Sequence, residues 1–478
     1  MRVPSLRVLD ARPFLVLLAL MLPASAAAQP AEWPHPSELT APPITIDAPE
    51  PTRAVLGNGM VVYLAEDPTL PIVQGVAYVG APGLYEPEGL EGVAGFTAAL
   101  LREGGAGGRT PDEIDLTLER LAASVEASSS DVLASVGFTS LTDTVDEVLP
   151  IWRDVLVRPD FDPGRIEVQR QRQVEAIRRV VDDPVQLAVR EWQARVSAGH
   201  PAGRFATVAS VQAIDRDDLI AFHQAWYGPS VTVLAVTGDF DTKAMIQRLD
   251  ELFGDWDAEV REPPELPPYD PTPEARVFLA QKDVQQSILI LGTPAMLAYQ
   301  DPYSEFTVAN EILGAGGFSS RLFTEIRTRR GLAYATGSQL SQGFLTPGLF
   351  LAYAFTRADM TGEVLGLLLE ELDRLRDDGV TQAELDRAVT TIVNRSVFRD
   401  TSVAAVTQRS ARVELLGLPD GYYGEHLTRM QALTPEEVRQ AAEQVIRPEH
   451  LIVLIVGDEA SFGAPLDVQV PLERIEID

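Results

Sequence analysis

The 478-residue chain contains no cysteine, which excludes disulfides and thiolate metal sites. Histidine is scarce: His35, His200, His223, His426 and His450 are all there are. No two of them lie three to five residues apart, so no local pair can hold zinc from one helix face; spacing alone leaves a non-local metal site open. No G-x-S-x-G elbow, Gly-rich phosphate loop opening a helix, or clustered His/Asp pair occurs, and nothing supports a stand-alone enzyme using such chemistry. Basic side chains are also few, 39 against 70 acidic ones, for a net charge of −31. That balance repels nucleic acid and anionic membrane surfaces and favours solubility. It leaves room for cationic peptides or a complementary protein partner.

Long apolar runs are missing after the first 28 residues. Within those 28, Arg2, Arg7 and Arg12 form a basic start, Phe14 to Leu22 is an apolar run too short to span a bilayer, and Ala26-Ala27-Ala28 supplies small residues. The pattern predicts a signal peptide over 1–28, an N-terminal extension over 29–48, and an exported, periplasmic chain with no membrane span after signal removal.

What the sequence does contain is a repeat. QAIDRDDLIAFHQAWYGPSVTVLAVTGD (residues 212–239) aligns without a gap on QALTPEEVRQAAEQVIRPEHLIVLIVGD (431–458). Each is an acidic-started helix, a Pro-containing connection and an apolar strand ending in Gly-Asp. Val61–Leu64 and Val73–Val79 read as paired strands after a Gly57-Asn58-Gly59 turn, and Val277–Ala280 with Ser287–Leu291 repeats the pattern. Thr110/Glu113, Thr381/Glu384 and Thr434/Glu437 have capping-box spacing, and Asp215 is a further N-cap. EPPELPPYDPTP (262–273) reads as a semi-rigid linker. The fold expected is α+β: a tandem duplication of a unit of about 220 residues, each a largely antiparallel sheet with helices on one face. The units span 49–261 and 274–470. Gly314-Ala315-Gly316-Gly317 follows a helix and not a strand, so it suits a tight turn or close backbone approach better than a phosphate site.

The stretch EGVAGFTAALLREGG (91–105) has one apolar helical face, Val93, Phe96 and Leu100, and only small residues between. Within GLYEPEGLEGVAGFTAALLREGGAGGRT, it resembles the segment that carries H-x-x-E-H in the pitrilysin/insulinase family of metallopeptidases, the inverzincins. YGPSVTVLAVTGDFD and GGFSSRLFTEIRTRRGLAYATGS resemble the same family, and the likeness spans roughly residues 50 to 465. In active members two His and a later Glu hold zinc, and a Glu between the His residues activates water. The resemblance places those positions at Gly95 (first His), Ala98 (catalytic Glu), Ala99 (second His) and Ala176 (ligand Glu), with Glu175 one residue away. It therefore implies that this chain holds no metal or cofactor of its own.

Active members also use an Arg and a Tyr from the second half, which contact substrate and stabilise charge on the attacked carbonyl. EIRTRRGLAYATGS presents Arg327 and Tyr334, with a helix from Phe323 to Arg330 ended by Gly331 and a strand from Leu332 to Thr336. Some bacterial relatives divide these roles between two chains. The implied reading is an exported, zinc-less subunit forming half of a clam-like, peptide-enclosing chamber. Its partner is a homologous H-x-x-E-H-bearing subunit that holds the zinc. The alternative is a purely structural scaffold or peptide-binding module.

Overall fold

The computed structural model describes residues 50–270, 273–419, 421–466 and 470–475, apart from the side chain of Asp400. The expected signal peptide and N-terminal extension lie outside them. Two six-stranded sheets organise the chain. The first contains β1 (Thr52–Val55), β2 (Val61–Glu66), β3 (Ile72–Val79), β4 (Ser124–Ser129), β5 (Ala134–Leu141) and β6 (Thr232–Gly238), in the order β1-β2-β6-β3-β5-β4. The second contains β7 (Arg276–Gln281), β8 (Gln286–Pro294), β9 (Ala333–Leu340), β10 (Leu349–Arg357), β11 (Ile452–Gly457) and β12 (Leu472–Ile475), in the order β12-β7-β11-β8-β10-β9. Leaving out β1 and β12, the two orders are the same. β6 and β11 are the strands of the aligned repeat, and both are buried along their whole length.

Four of the five pairings in the first sheet are antiparallel, and three of the five in the second. One expectation needs correcting. β2 and β3 are not paired with each other; β6 lies between them, parallel to β2 and antiparallel to β3. β11 separates β7 from β8 in the same way. The apolar β6 and β11 need two covered edges as well as two covered faces, and the centre of a sheet provides them. The Gly57–Gly59 turn instead closes the β1–β2 hairpin, where Leu56 N–H donates to the Met60 carbonyl at 2.9 Å.

The capping boxes at Thr110, Thr381 and Thr434 all form, and Asp215 caps with Asp218 in its third position. Each sheet buries one face under the helices of its own half. Val62, Leu64, Phe96, Trp152 and Phe253 belong to the first core, and Leu289, Phe306, Phe350 and Leu368 to the second.

The opposite faces are covered by exchange. Helix α3 (Pro184–Val196), from the first half, lies on the second sheet, with Leu187, Ala188, Trp192 and Val196 packed among Phe278, Ile288, Ile290, Ile452 and Leu454. The Trp192 indole N–H donates to the Ile452 carbonyl at 2.9 Å. Helix α4 (Val403–Leu415), from the second half, lies on the first sheet, with Ala411 and Leu415 against Tyr78, Val233 and Ala235. Glu414 of α4 takes both prongs of the Arg53 guanidinium, at 2.7 and 3.0 Å, and the Tyr63 hydroxyl at 2.8 Å. The Arg53 bonds hold the Glu414 carboxyl below its ordinary range. Residues 263–270 of the Pro-rich stretch form no helix or strand. Tyr269 pins them, stacked on His200 at 4.2 Å with its hydroxyl 2.8 Å from Ser197 Oγ.

Candidate functional site

Helix α1 (Val93–Glu103) carries the first set of candidate positions. Val93, Phe96 and Leu100 are buried beneath it, which fixes the rotation of the helix. Gly92, in the left-handed region at φ 102°, precedes it. The Glu86 carboxylate closes its N-terminus by accepting from Gly92 N–H and Ala94 N–H, both at 2.8 Å. Burial raises the Glu86 pKa, and these two bonds oppose the rise.

Gly95 faces outward, with nothing within 4 Å of where a Cβ would stand. Ala98 is buried and Ala99 half-buried. None of the three offers a donor atom. On α2 (Pro163–Asp182), which packs on α1, Ala176 and Glu175 are both exposed. Glu175 pairs with Arg179 of its own helix at 3.4 Å. The approach of α2 to α1 is made instead by Arg170, over the Phe96 ring at 5.8 Å, and by Arg172, 2.7 Å from Glu103. Among the described residues no group of three or more His, Cys, Asp or Glu is placed to hold a metal ion. These residues do not fit zinc.

The described histidines serve other ends. His223 is buried, bonded to the Leu156 carbonyl at 2.9 Å, and burial lowers its pKa to about 4. His426 bonds to the Ala298 carbonyl and Ser304, and His450 to the Pro273 carbonyl.

The second set of positions is held differently. Phe323–Arg329 is a π-helix, a wider turn than sequence periodicity predicts, and Gly331 follows it at φ +67°. Arg327 projects from this turn and Tyr334 from the start of β9. The Arg327 guanidinium lies 5.4 Å from the Tyr334 ring centre, 4.6 Å from that of Phe323 and 6.0 Å from that of Phe318. Tyr334 is 79% exposed and Phe318 81%. Neighbouring Arg329 and Arg330 both pair with Glu325, and among the described residues no carboxylate pairs with Arg327. A cation free of a carboxylate, set among three rings, can donate to an incoming oxygen without first breaking an ion pair.

Phe318 and Phe323 were not singled out from the sequence. The signal was the glycine run before them. Gly314 sits in a second π-helix, Glu311–Ala315, where a Cβ would fall 2.2 Å from Ser338 N of β9, so the close approach expected of the Gly cluster occurs there. Among the described residues no hydrogen bond or ion pair joins Arg327 or Tyr334 to α1.

Two α+β halves of matching strand order, one with a helix that offers no donor at Gly95, Ala98 or Ala99, define a class of peptidase-like chain. Residues 61–203 match the description "Insulinase (Peptidase family M16)" and residues 213–392 match "Peptidase M16 inactive domain". The chain belongs to the M16 (insulinase) peptidase family. It is similar to an uncharacterized zinc protease of Streptomyces coelicolor, 29% identical over 304 residues, a match covering 61% of this chain and 65% of that protein. It is also similar to the uncharacterized zinc protease YmxG of Bacillus subtilis, 23% identical over 84% of this chain and 97% of that protein. Among solved structures, a peptidase M16 inactive domain from Pseudomonas fluorescens superposes with a TM-score of 0.77 at 23% identity, covering 85% of this chain and 98% of its own. Among the described residues no helix is long and apolar enough to cross a membrane.

Proposed function

We propose that this chain is an exported, non-catalytic M16 subunit that pairs with a homologous H-x-x-E-H-bearing subunit and lends Arg327 and Tyr334 to the site where that pair cleaves peptides. The two chains then enclose the substrate as halves of one chamber, in the periplasm, with the zinc in the partner. One contrast carries the reading: α1 presents no donor at Gly95, Ala98 or Ala99, while Arg327 and Tyr334 stand together, ring-supported and accessible. The guanidinium N–H groups and the phenol O–H are suited to a peptide carbonyl oxygen as negative charge grows on it. Donors placed there favour the transition state over the substrate. The signal-like residues 1–28 support export.

The test is co-expression with an H-x-x-E-H homologue from the same cell. A co-purifying pair that cleaves unstructured peptides, while this chain alone does not, is expected. Chelator-sensitive cleavage by the isolated chain would refute the reading. A pair that assembles and works unchanged with Arg327→Ala/Tyr334→Phe would leave only the scaffold role.

A further inference from the structure

A cavity of about 540 Å³ lies between the two halves, away from α1 and from Arg327. The first half supplies Tyr78 of β3 and the β4–β5 turn residues Ser130, Val132 and Leu133. The second half supplies Phe344, Tyr423, Leu416 and Leu418, with Arg399 and Arg412 at the margin. Its size is within the range of about 300–1,000 Å³ usual for small-molecule sites, and its walls are mainly apolar and aromatic.

Its charge is one-sided. Among the described residues no carboxylate lines it. Nearby acids are turned elsewhere: Glu414 is held by Arg53 and Tyr63, and Asp131 lines a separate cavity. Among the described residues neither Arg399 nor Arg412 has a carboxylate partner. Arg399 instead lies 5.5 Å over the Tyr423 ring. Arg412 is felt in the apolar wall: burial pushes the Tyr78 phenol up and Arg412 acts against it.

Two exposed guanidiniums beside an apolar recess match a ligand with a carboxylate at one end and an apolar body at the other. We infer that this cavity binds apolar-tailed carboxylates, the tail among Tyr78, Phe344, Leu416 and Leu418 and the carboxylate on Arg399 and Arg412. The same chemistry comes from two sources, a free fatty carboxylate and the C-terminal residue of an apolar peptide.

Calorimetric titration of the full chain with octanoate, 1-octanol, Nα-acetyl-Leu-Leu and its C-terminal amide tests this. At least one carboxylate should bind about tenfold or more tighter than its neutral counterpart. Octanoate alone would identify the fatty source, and the dipeptide acid alone the peptide source. Removing one charge-assisted contact weakens binding about 10- to 100-fold, so Arg399→Gln and Arg412→Gln should each show that loss. Both side chains are exposed, so the variants should melt like the wild type. Arg395→Gln, which lines the neighbouring cavity, should leave binding unchanged. Equal binding of acid and neutral probe, no binding of either acid, unaltered binding by both variants, or an equal loss in Arg395→Gln would each overturn the proposal.

Discussion

The first and second halves share a strand order and differ in what they present at the surface. In the first, the packing face of α1 is complete, with Val93, Phe96 and Leu100 buried, while Gly95, Ala98 and Ala99 carry only hydrogen or methyl groups. In the second, a half-buried Arg327 and an exposed Tyr334 stand together with aromatic support. A buried face is held by the core it fills, and every loss there costs stability. An outward-facing position such as Gly95 has no such packing demand on it. The fold therefore needs no donors at those α1 positions, and a largely exposed feature such as the Arg327 ring cluster has no comparable packing reason.

The capping boxes repeat the contrast. Thr110/Glu113 in the first half is a local N-cap. Thr381/Glu384 in the second also takes Arg321, at 2.8 and 3.0 Å, two residues before the π-helix that carries Arg327. Burial acts to raise Glu384, but the Arg321 and Thr381 bonds outweigh it and hold the carboxyl at about 2.

The largest effect that would sharpen the comparison is on the exchanged helices. Trp192→Ala should cost about 3–5 kcal/mol of stability in a denaturant titration, because it empties a buried site and removes the indole hydrogen bond to the Ile452 carbonyl. A loss below about 1 kcal/mol would break the claim that α3 is integral to the second half. Next is Tyr334→Phe, measured in the assembled pair. Turnover should fall about 10²–10³-fold, the effect of removing one transition-state donor, with the melting temperature unchanged. A large fall in melting temperature would make Tyr334 structural. Third, Glu384→Gln should lower stability by about 1–2 kcal/mol near neutral pH, and Glu113→Gln by measurably less. The folded pKa of Glu384 lies below its unfolded value of 4.5, so its contribution is present above that pH and fades as pH falls towards about 2. The gap between wild type and Glu384→Gln should close over that window; a gap constant with pH would argue against it. Smallest is the expected null: dialysis against a chelator should leave the melting temperature unchanged, with zinc far below one per chain. A stoichiometric, tightly held zinc would restore function to α1 and end the contrast.

Much of this was legible in the residues. The gapless repeat gave β6 and β11, and the Ser/Thr/Asp-x-x-acid spacings gave the caps, because both are local patterns. The insertion of β6 between β2 and β3 was not legible, since its partners lie some 170 residues away. The destinations of α3 and α4 were hidden for the same reason: an amphipathic stripe shows that a helix packs, not on which sheet. The π-helices at Glu311–Ala315 and Phe323–Arg329 escaped because a 3.6-residue period does not distinguish them from α-helix. At the candidate site, Gly95, Ala98, Ala99, Arg327 and Tyr334 were reached through family resemblance, whereas Phe318 and Phe323 needed coordinates.

The exchange of α3 and α4 has a consequence for synthesis. The Tyr78–Val233–Ala235 face of the first sheet is complete once residue 238 has emerged, yet its cover, residues 403–415, follows more than 160 residues later. During that interval an apolar β-surface stands open to water, with the high sequence separation that slows folding and invites aggregation. A nascent chain of this kind needs shielding until its second half is made, and a fragment ending at the Pro-rich stretch would keep that face bare for good.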